Sequence, residues 1–351
     1  MVIDSSRTEP RIAVAMATYN GARYIREQLD SIAAQTLPPV ELVVSDDGST
    51  DDTLAIVRAF AAQVPFPVRI LDKAERLGFA DNFLHAATAC TAPLVALSDQ
   101  DDVWLPHKLA TSHARLRDDA SLLAMHRLTL TDEGLHPIGT HDQGITGDCC
   151  FAPLEIDPYV TGWGNSMMFR RELATLVPRA DRPRQPQATR PLSHDTWLYV
   201  LAAALGRVSH IAEPLILYRQ HDANVYGTTL AGGVLARLSI RLDIVRTVPL
   251  TVYRERAVFD AHMTRLLEAL AERSEGRDRD VAAQAATRFA ERATRWERRV
   301  RLYEGTTLRR RAGEYLKMLQ APIGSPEAAK ALRRSAAKDL LLGVAGLGRR
   351  V

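Results

Sequence analysis

Apolar and polar positions alternate with two different periods over the first hundred residues. Residues 11–17 (RIAVAMA) form a short apolar run that ends in a polar turn, and Ile25, Leu29 and Ile32 follow at i, i+4 and i+7. A continuous apolar run of this length predicts a buried strand, and the spaced stripe predicts an amphipathic helix. The pair recurs twice, and a fourth apolar run follows. Residues 41–44 (ELVV) meet the turn SDDGSTDD, and Leu54, Val57 and Ala61 stripe the next helix; residues 68–71 precede Phe79, Phe83 and Ala86; residues 94–97 end at SDQDD. Repeated strand and helix units predict an α/β fold with a mostly parallel central sheet covered by helices. In such sheets ligands sit beyond the carboxyl ends of the strands. The polar clusters after three of the runs, at Thr18 to Asn20, Asp46 to Asp47 and Asp99 to Asp102, are therefore expected to gather on one edge.

Past residue 118 the alternation loosens. The sequence predicts a strand over 122–130, a Gly- and Asp-rich loop over 132–148, a strand or bend at 165–169, and a surface loop over 178–191 with four prolines and four arginines. A buried helix is expected over 196–205, and a last strand over 215–218 ends at Arg219, Gln220 and His221. From residue 231 the composition is helical, with one long helix opening at Val281. The predicted organisation is a tail over 1–10, an α/β domain over 11–230 and a basic helical C-terminal extension over 231–351.

Charge sharpens that division. The net charge is only +3, yet residues 231–351 hold 25 basic and 14 acidic side chains, leaving 20 basic and 28 acidic in residues 1–230. Arg288, Arg292, Arg295 and Arg299 recur at i, i+4, i+7 and i+11, with Phe289, Trp296, Val300 and Tyr303 along another face. Such a helix suits an anionic membrane surface, or packs its aromatic face on the catalytic domain. No nucleic-acid-binding motif accompanies the charge, so nucleic acid is not expected as a partner. With 46% hydrophobic residues the chain can bury a full core, which excludes a disordered protein. The three cysteines, Cys90, Cys149 and Cys150, form no C-x-x-C pair and fit a reducing cytoplasm. Neither the N-terminal MVIDSSRTEP nor the apolar run 340–348 resembles a signal peptide or spanning helix, so a cytoplasmic location is expected, with peripheral contact at the inner face of the membrane.

The sharpest chemical feature is the turn Asp99, Gln100, Asp101, Asp102. Carboxylates one residue apart at a strand end can both lean toward a hard divalent cation, and Mg²⁺ or Mn²⁺ prefers such oxygens together with substrate phosphates. The same residues also suit a run of turns capping the next helix. Asp46 or Asp47 could accept hydrogen bonds from a pyrimidine imide or a ribose hydroxyl, while Asp52 is placed to cap the helix from Thr53. Neither G-x-G-x-x-G after the first strand nor G-x-x-x-x-G-K-[ST] occurs, which disfavours a dinucleotide fold and excludes a P-loop. Asp195 can serve as a general base or as the N-cap of a helix from Thr196. His221 could ligate a metal or contact a diphosphate, and Arg219 offers a charged fork for phosphate. Gly162, Trp163, Gly164 and Asn165 form a small-residue loop whose tryptophan either stacks on an acceptor sugar or enters the core.

The motifs ATYNG (17–21), VVSDDGSTDDT (43–53), LGFADNF (77–83), LSDQDDVW (97–104), SHDTWL (193–198) and YRQH (218–221) together resemble the family 2 glycosyltransferases of GT-A fold. The resemblance spans residues 11–227, and the SDQDDVW and YRQH forms are most similar to the bacterial rhamnosyltransferase-like branch. It implies an inverting, metal-dependent transfer of a sugar, rhamnose from dTDP-rhamnose in that branch, to a hydroxyl of a bacterial cell-surface glycan or lipid-linked precursor. Thr18, Tyr19, Asn20, Asn82 and Arg219 then belong to a pocket for a dTDP- or UDP-linked sugar, and one of Asp46 and Asp47 to the base or ribose. Asp99 sits near ribose and metal, Asp101 is the principal metal ligand with His221 beside it, and Asp102 is structural. Asp195 matches the family's catalytic base, His194 stands where a Glu is common, and Trp163, Asn165 and His194 face the acceptor. Two other readings share these residues: a nucleotidyltransferase of GT-A-like fold, and a non-catalytic module that binds sugar nucleotide or docks on a membrane.

Overall fold

The computed structural model describes residues 11–72, 75–156, 162–184, 191–222, 247–248, 250–320, 336, 338–345 and 349–350. The predicted tail, the middle of the Pro- and Arg-rich segment and the start of the extension lie outside the described residues. From residue 2 the chain divides into two compact units, 2–182 with 192–227, and 183–191 with 228–351.

The first unit is built on one ten-stranded sheet. Strands β1 (Ile12–Thr18), β2 (Glu41–Asp46), β3 (Val68–Leu71) and β4 (Leu94–Ser98) are mutually parallel in the order β3-β2-β1-β4. They are connected by helices α1 (Ile25–Ala33), α2 (Thr53–Ala61) and α3 (Phe79–Ala89). Ile12 to Met16 have no exposed surface, which explains why their run is apolar throughout instead of alternating. Each such Ile or Val contributes about 1.5–3 kcal/mol by leaving water.

Beyond β4 the sheet becomes mixed. A two-residue β5 (Val103–Trp104) precedes α4 (Lys108–Asp118), β6 (Leu123–Thr131), β7 (Pro137–His141), β8 (Cys149–Phe151), β9 (Met167–Arg170), α5 (Glu172–Thr175), α6 (His194–Leu205) and β10 (Val208–Arg219). Strand β9 lies between β4 and β6, antiparallel to both, and β10 runs parallel to β6 with β5 antiparallel on its far edge.

Several expectations are corrected here. The loop predicted over 132–148 contains β7, which folds back on β6 as a hairpin. The last strand is twelve residues long, not four, because Val208 to Ile211 also pair with β6 before the register shifts around Pro214. Helix α6 begins at His194 with Ser193 at the N-cap, so Asp195 lies in the first turn. Asp52 makes no side-chain cap; Asp51 instead accepts the Thr53 N–H at 3.1 Å. The start of the segment expected as a surface loop is fixed, because Arg179 and the buried Arg182 both pair with Asp81 on α3.

The second unit contains α7 (Leu250–Arg273), α8 (Gly276–Glu304), α9 (Leu308–Leu319), a short wide-turn helix Asp339–Val344, and a two-residue parallel pair, β11 (Thr247–Val248) with β12 (Arg349–Arg350). The long helix thus opens at Gly276, not Val281, and forms a hairpin with α7 across Ser274 and Glu275. Its arginine stripe is not a solvent-facing basic surface. Arg292 reaches the fully buried Asp260 at 3.4 Å, and Arg299 donates from Nε and Nη2 to one Asp339 oxygen at 2.9 and 2.6 Å while the Tyr303 hydroxyl donates to the other at 2.8 Å. Arg295 is enclosed beside Arg292 and Arg299, and Trp296 stacks on Tyr253 at 5.6 Å. Arginines and aromatics alike are spent on packing within the unit.

Asp339→Ala leaves the buried Arg299 without its carboxylate. Breaking a buried pair from one side costs about 3–5 kcal/mol, so urea unfolding of the variant should show a clearly lower midpoint for the helical unit. An unchanged midpoint would mean that the pair adds nothing to this packing.

Candidate active site

The carboxyl ends of β1, β2 and β4 form the site. Thr18 and Asp46 are partners in register, and the Thr18 hydroxyl donates to Asp46 Oδ2 at 2.7 Å. Asp46 also accepts from the backbone N–H groups of Gly48 and Ser49 at 3.0 and 2.7 Å and from Ser49 Oγ at 2.5 Å. This closes a turn in which Gly48 takes φ 85°, a region open to glycine. Asp47 receives the N–H groups of Leu77 and Gly78, both at 2.8 Å, and so ties the β2 turn to the loop that leads into α3. On α3, Asn82 donates to the Ser45 carbonyl at 2.8 Å and accepts from the Ser45 hydroxyl at 2.6 Å. Asn20 has φ 48° and accepts the Thr50 N–H at 2.8 Å. Tyr19 is the exposed member, 41% accessible, with the Arg76 guanidinium 4.0 Å from its ring centroid.

The acidic turn after β4 divides by depth. Asp101 is partly open, and its Oδ2 lies 2.9 Å from His221 Nε2 at the end of β10. Asp102 is fully buried, accepting from Asn165 Nδ2 at 2.6 Å and from the Arg219 N–H at 3.3 Å. Desolvation, aided by the Asp101 charge, pushes its pKa up to about 8. The Asp99 carboxylate accepts no hydrogen bond among the described residues; desolvation and the charges of Asp102, Asp101 and Asp195 hold it well above the usual carboxylate range. Asp195 is thus close enough for its charge to act on Asp99. Its own hydrogen bonds, from Ser193 Oγ, the Thr196 N–H at 2.6 Å and Thr196 Oγ1 at 3.4 Å, all fall on Oδ1, which leaves Oδ2 open among the described residues.

Among the described residues no group of three or more His, Cys, Asp or Glu side chains is arranged to hold a metal ion. Asp99, Asp101 and His221 nevertheless present oxygen and imidazole donors within a cluster of excess negative charge. That donor set fits a hard divalent cation whose remaining positions are filled by phosphate and water.

The family described as glycosyl transferase family 2 matches residues 13–171. Over those residues the α/β unit is similar to a family 2 glycosyltransferase domain. Among relatives, an uncharacterized glycosyltransferase of Nostoc sp. is 28% identical over 221 residues, covering 61% of this chain and 66% of its own length. The dTDP-rhamnosyl transferase RfbG of Shigella flexneri is 27% identical over 222 residues, covering 62% of this chain and 75% of that protein. Among solved structures, S. aureus TarS 1-349 in complex with UDP-GlcNAc superimposes with a TM-score of 0.52 at 17% identity, over 96% of this chain and 89% of that chain. At that identity the likeness shows the fold, which is GT-A.

Other candidates in the α/β unit take different places from those expected. Arg219 is buried, with its guanidinium donating to the carboxylate of Glu27 at 2.5 Å, to the carbonyl of Asp101 at 3.0 Å and to that of Glu133, so it braces the acidic turn and is not presented as a phosphate fork. Asn165 is buried behind Asp102 and does not face an acceptor. Trp163 is half-buried between His141 and Tyr218, with ring centroids at 4.5 and 4.7 Å. His194 is buried and stacked on Phe83 at 4.2 Å; desolvation lowers its pKa, and its Nδ1 has no partner among the described residues.

Two site residues escaped the sequence reading. Lys108, the first residue of α4, is fully buried beneath the acidic turn, with Nζ 2.5 Å from the Asn165 carbonyl and 3.7 Å from the Trp104 ring centroid. Desolvation lowers its pKa to about 7 against the opposing pull of Asp102 and Asp99. Gln100 grips one residue from both sides, accepting the Tyr19 N–H at 2.9 Å and donating to the Tyr19 carbonyl at 3.0 Å. A Cβ at Gly21 would overlap the Gln100 amide, so the glycine of ATYNG leaves room for this clamp. Its position within the DxD turn was the available signal.

Gln100→Ala should therefore free the Tyr19 peptide. Two lost hydrogen bonds of about 0.5–1.5 kcal/mol each should shift the melting temperature little, while hydrogen exchange at the Tyr19 amide rises by about an order of magnitude. Unchanged exchange there would show that the strand end holds the loop without Gln100.

Proposed function

We propose that the chain transfers a sugar from a nucleoside diphosphate donor to a hydroxyl on a bacterial cell-surface glycan or lipid-linked precursor, with inversion at the anomeric carbon. The observation that carries this reading is the meeting of Asp99 and Asp101, at the end of β4, with Asp195, at the start of α6, on one edge of a GT-A sheet. The exposed Tyr19 ring and the Arg76 guanidinium over it offer a platform for the nucleotide base, beside the Asp46 and Asp47 turns. Asp99, Asp101 and His221 would hold Mg²⁺ or Mn²⁺. When bound, the cation offsets charge on the departing diphosphate. Asp195 Oδ2 takes the proton of the acceptor hydroxyl as its oxygen bonds to the anomeric carbon, and the bond from that carbon to the diphosphate oxygen breaks with its electron pair leaving on the diphosphate. One displacement inverts the centre.

Rhamnose carried by dTDP is the donor favoured by the SDQDDVW and YRQH motifs and by the relative RfbG, whose name records that activity. The reaction belongs in the cytoplasm, where sugar nucleotides are made. No helix among the described residues is long and apolar enough to cross a membrane. A panel of nucleotide sugars screened by thermal shift with Mn²⁺ tests the donor, because a ligand of the folded state raises the melting temperature. A panel in which none does so would overturn the transferase reading.

Asp101→Ala should abolish the metal-dependent part of nucleoside diphosphate binding, read by calorimetric titration with and without Mn²⁺. Unchanged affinity would remove Asp101 from the ligand set. Asp195→Asn keeps the shape of the side chain and loses the proton acceptor, so donor affinity should hold while transfer slows by about 10²- to 10⁴-fold. Loss of donor binding with turnover retained at saturation would place the base elsewhere.

A further inference from the structure

We propose that the outer face of α9 docks on an anionic lipid bilayer, with Leu308, Leu316 and Leu319 entering the interface, Arg309 at their edge meeting the lipid phosphates and Arg310, further round the helix, adding to the positive field. The surface differs from the arginine stripe of α8, which is folded inward.

Helix α9 is well anchored on one side. The Thr307 hydroxyl caps it by accepting the Arg310 N–H at 3.3 Å, Met318 is fully buried, and the Tyr315 hydroxyl donates to the Ala336 carbonyl at 3.2 Å. Glu314 faces Arg301 at 3.5 Å and Lys317 at 3.1 Å. The other side is exposed at its leucines and makes no salt bridge among the described residues. At 3.6 residues per turn, Leu308, Leu319, Ala312 and Leu316 fall within an arc of about 80°, and the three leucines are 61%, 42% and 57% exposed. Arg309 borders this arc, with Lys317 and Arg310 beyond it. Arg309 and Arg310 are exposed and have no acidic partner among the described residues. The helix Asp339–Val344, which packs on α9, exposes Leu340 and Leu341. Five of the nine exposed large apolar side chains among the described residues therefore lie between Leu308 and Leu341. Single exposed leucines need no explanation, but a contiguous apolar strip marks an interaction surface.

Charge decides the occupant. An apolar strip bordered by Arg309, with Arg310 further round the helix, matches the acyl and phosphate layers of an anionic leaflet. A second copy of the chain would bring Arg309 and Arg310 against their own counterparts, and like charges across an interface oppose association. The inference is independent of the transfer chemistry, and its test involves no donor or acceptor.

Full-length protein is sedimented with vesicles of phosphatidylcholine alone or with graded phosphatidylglycerol, at low and high salt. The protein should pellet only with the anionic vesicles. Arg309→Gln with Arg310→Gln should weaken binding at least about fivefold, the share of the one charge, Arg309, that lies at the surface. Leu316→Gln with Leu319→Gln should leave binding that salt reverses completely, because the salt-resistant part comes from apolar insertion. Arg277→Gln with Arg279→Gln, a pair of exposed charges at the start of α8, should bind as the parent does. All six positions are exposed, and thermal melts check that each variant stays folded. Protein that remains in the supernatant with anionic vesicles at low salt overturns the proposal, as does an equal loss in both arginine pairs. Concentration-dependent dimers that the leucine substitutions abolish, with vesicle binding unchanged, would assign the face to a second copy instead.

Discussion

The rest of the site depends on keeping four carboxylates together at one sheet edge. At Asp99 and Asp102 burial and neighbouring charge both raise the cost of ionisation: Asp102, Asp101 and Asp195 act on Asp99, and Asp101 acts on Asp102. The fold meets this from behind. Lys108 lies buried under the turn, Asn165 donates to Asp102, and Arg219 contributes its backbone N–H to Asp102 and its side chain to the Asp101 carbonyl. These partners occupy the inner acid and leave Asp99 and the outer edge of Asp101 toward the ligand side. A buried positive charge next to buried acids stabilises only when its partners are all present, since an isolated charge in that place would be costly.

The turns around this centre are built from side chains that satisfy backbone groups. Asp46 organises its own turn, Asp47 reaches the loop before α3, Asn82 returns to β2, and Gln100 grips Tyr19. The last three join segments distant in sequence, so these loops behave as one unit. Many polar groups are thereby occupied, and the groups left open among the described residues include the Tyr19 ring, the Asp99 carboxylate and Asp195 Oδ2. Such a surface is organised before its ligand arrives, which lowers the ordering cost of binding.

The helical unit follows the same economy with opposite charge. Its arginines meet Asp260 and Asp339 inside, and Trp296 and Tyr253 stack beside them. Other cations stay outward, Arg277 and Arg279 at the start of α8 among them, and Arg309 lies on α9 next to the exposed leucines.

The sequence by itself determined the parallel half of the sheet. The apolar runs of β1, β2 and β4 were legible because strands buried on both faces must be apolar throughout, and the helices between them carried the 3.6-residue stripe. It also placed Thr18, Asp46 and Asp99 on one edge, since strand ends in a parallel sheet share a direction. The tertiary structure alone decided what those side chains meet. Nothing local separates Asp101, open beside His221, from Asp102, buried against Asn165 from 63 residues away. Lys108 reads as a surface lysine until α4 is seen under the acidic turn, and the stripe of Arg292, Arg295 and Arg299 reads as a solvent face until Asp260 and Asp339 arrive opposite it. Periodicity states which residues share a face; what covers that face is set by long-range packing, which no local window of sequence contains.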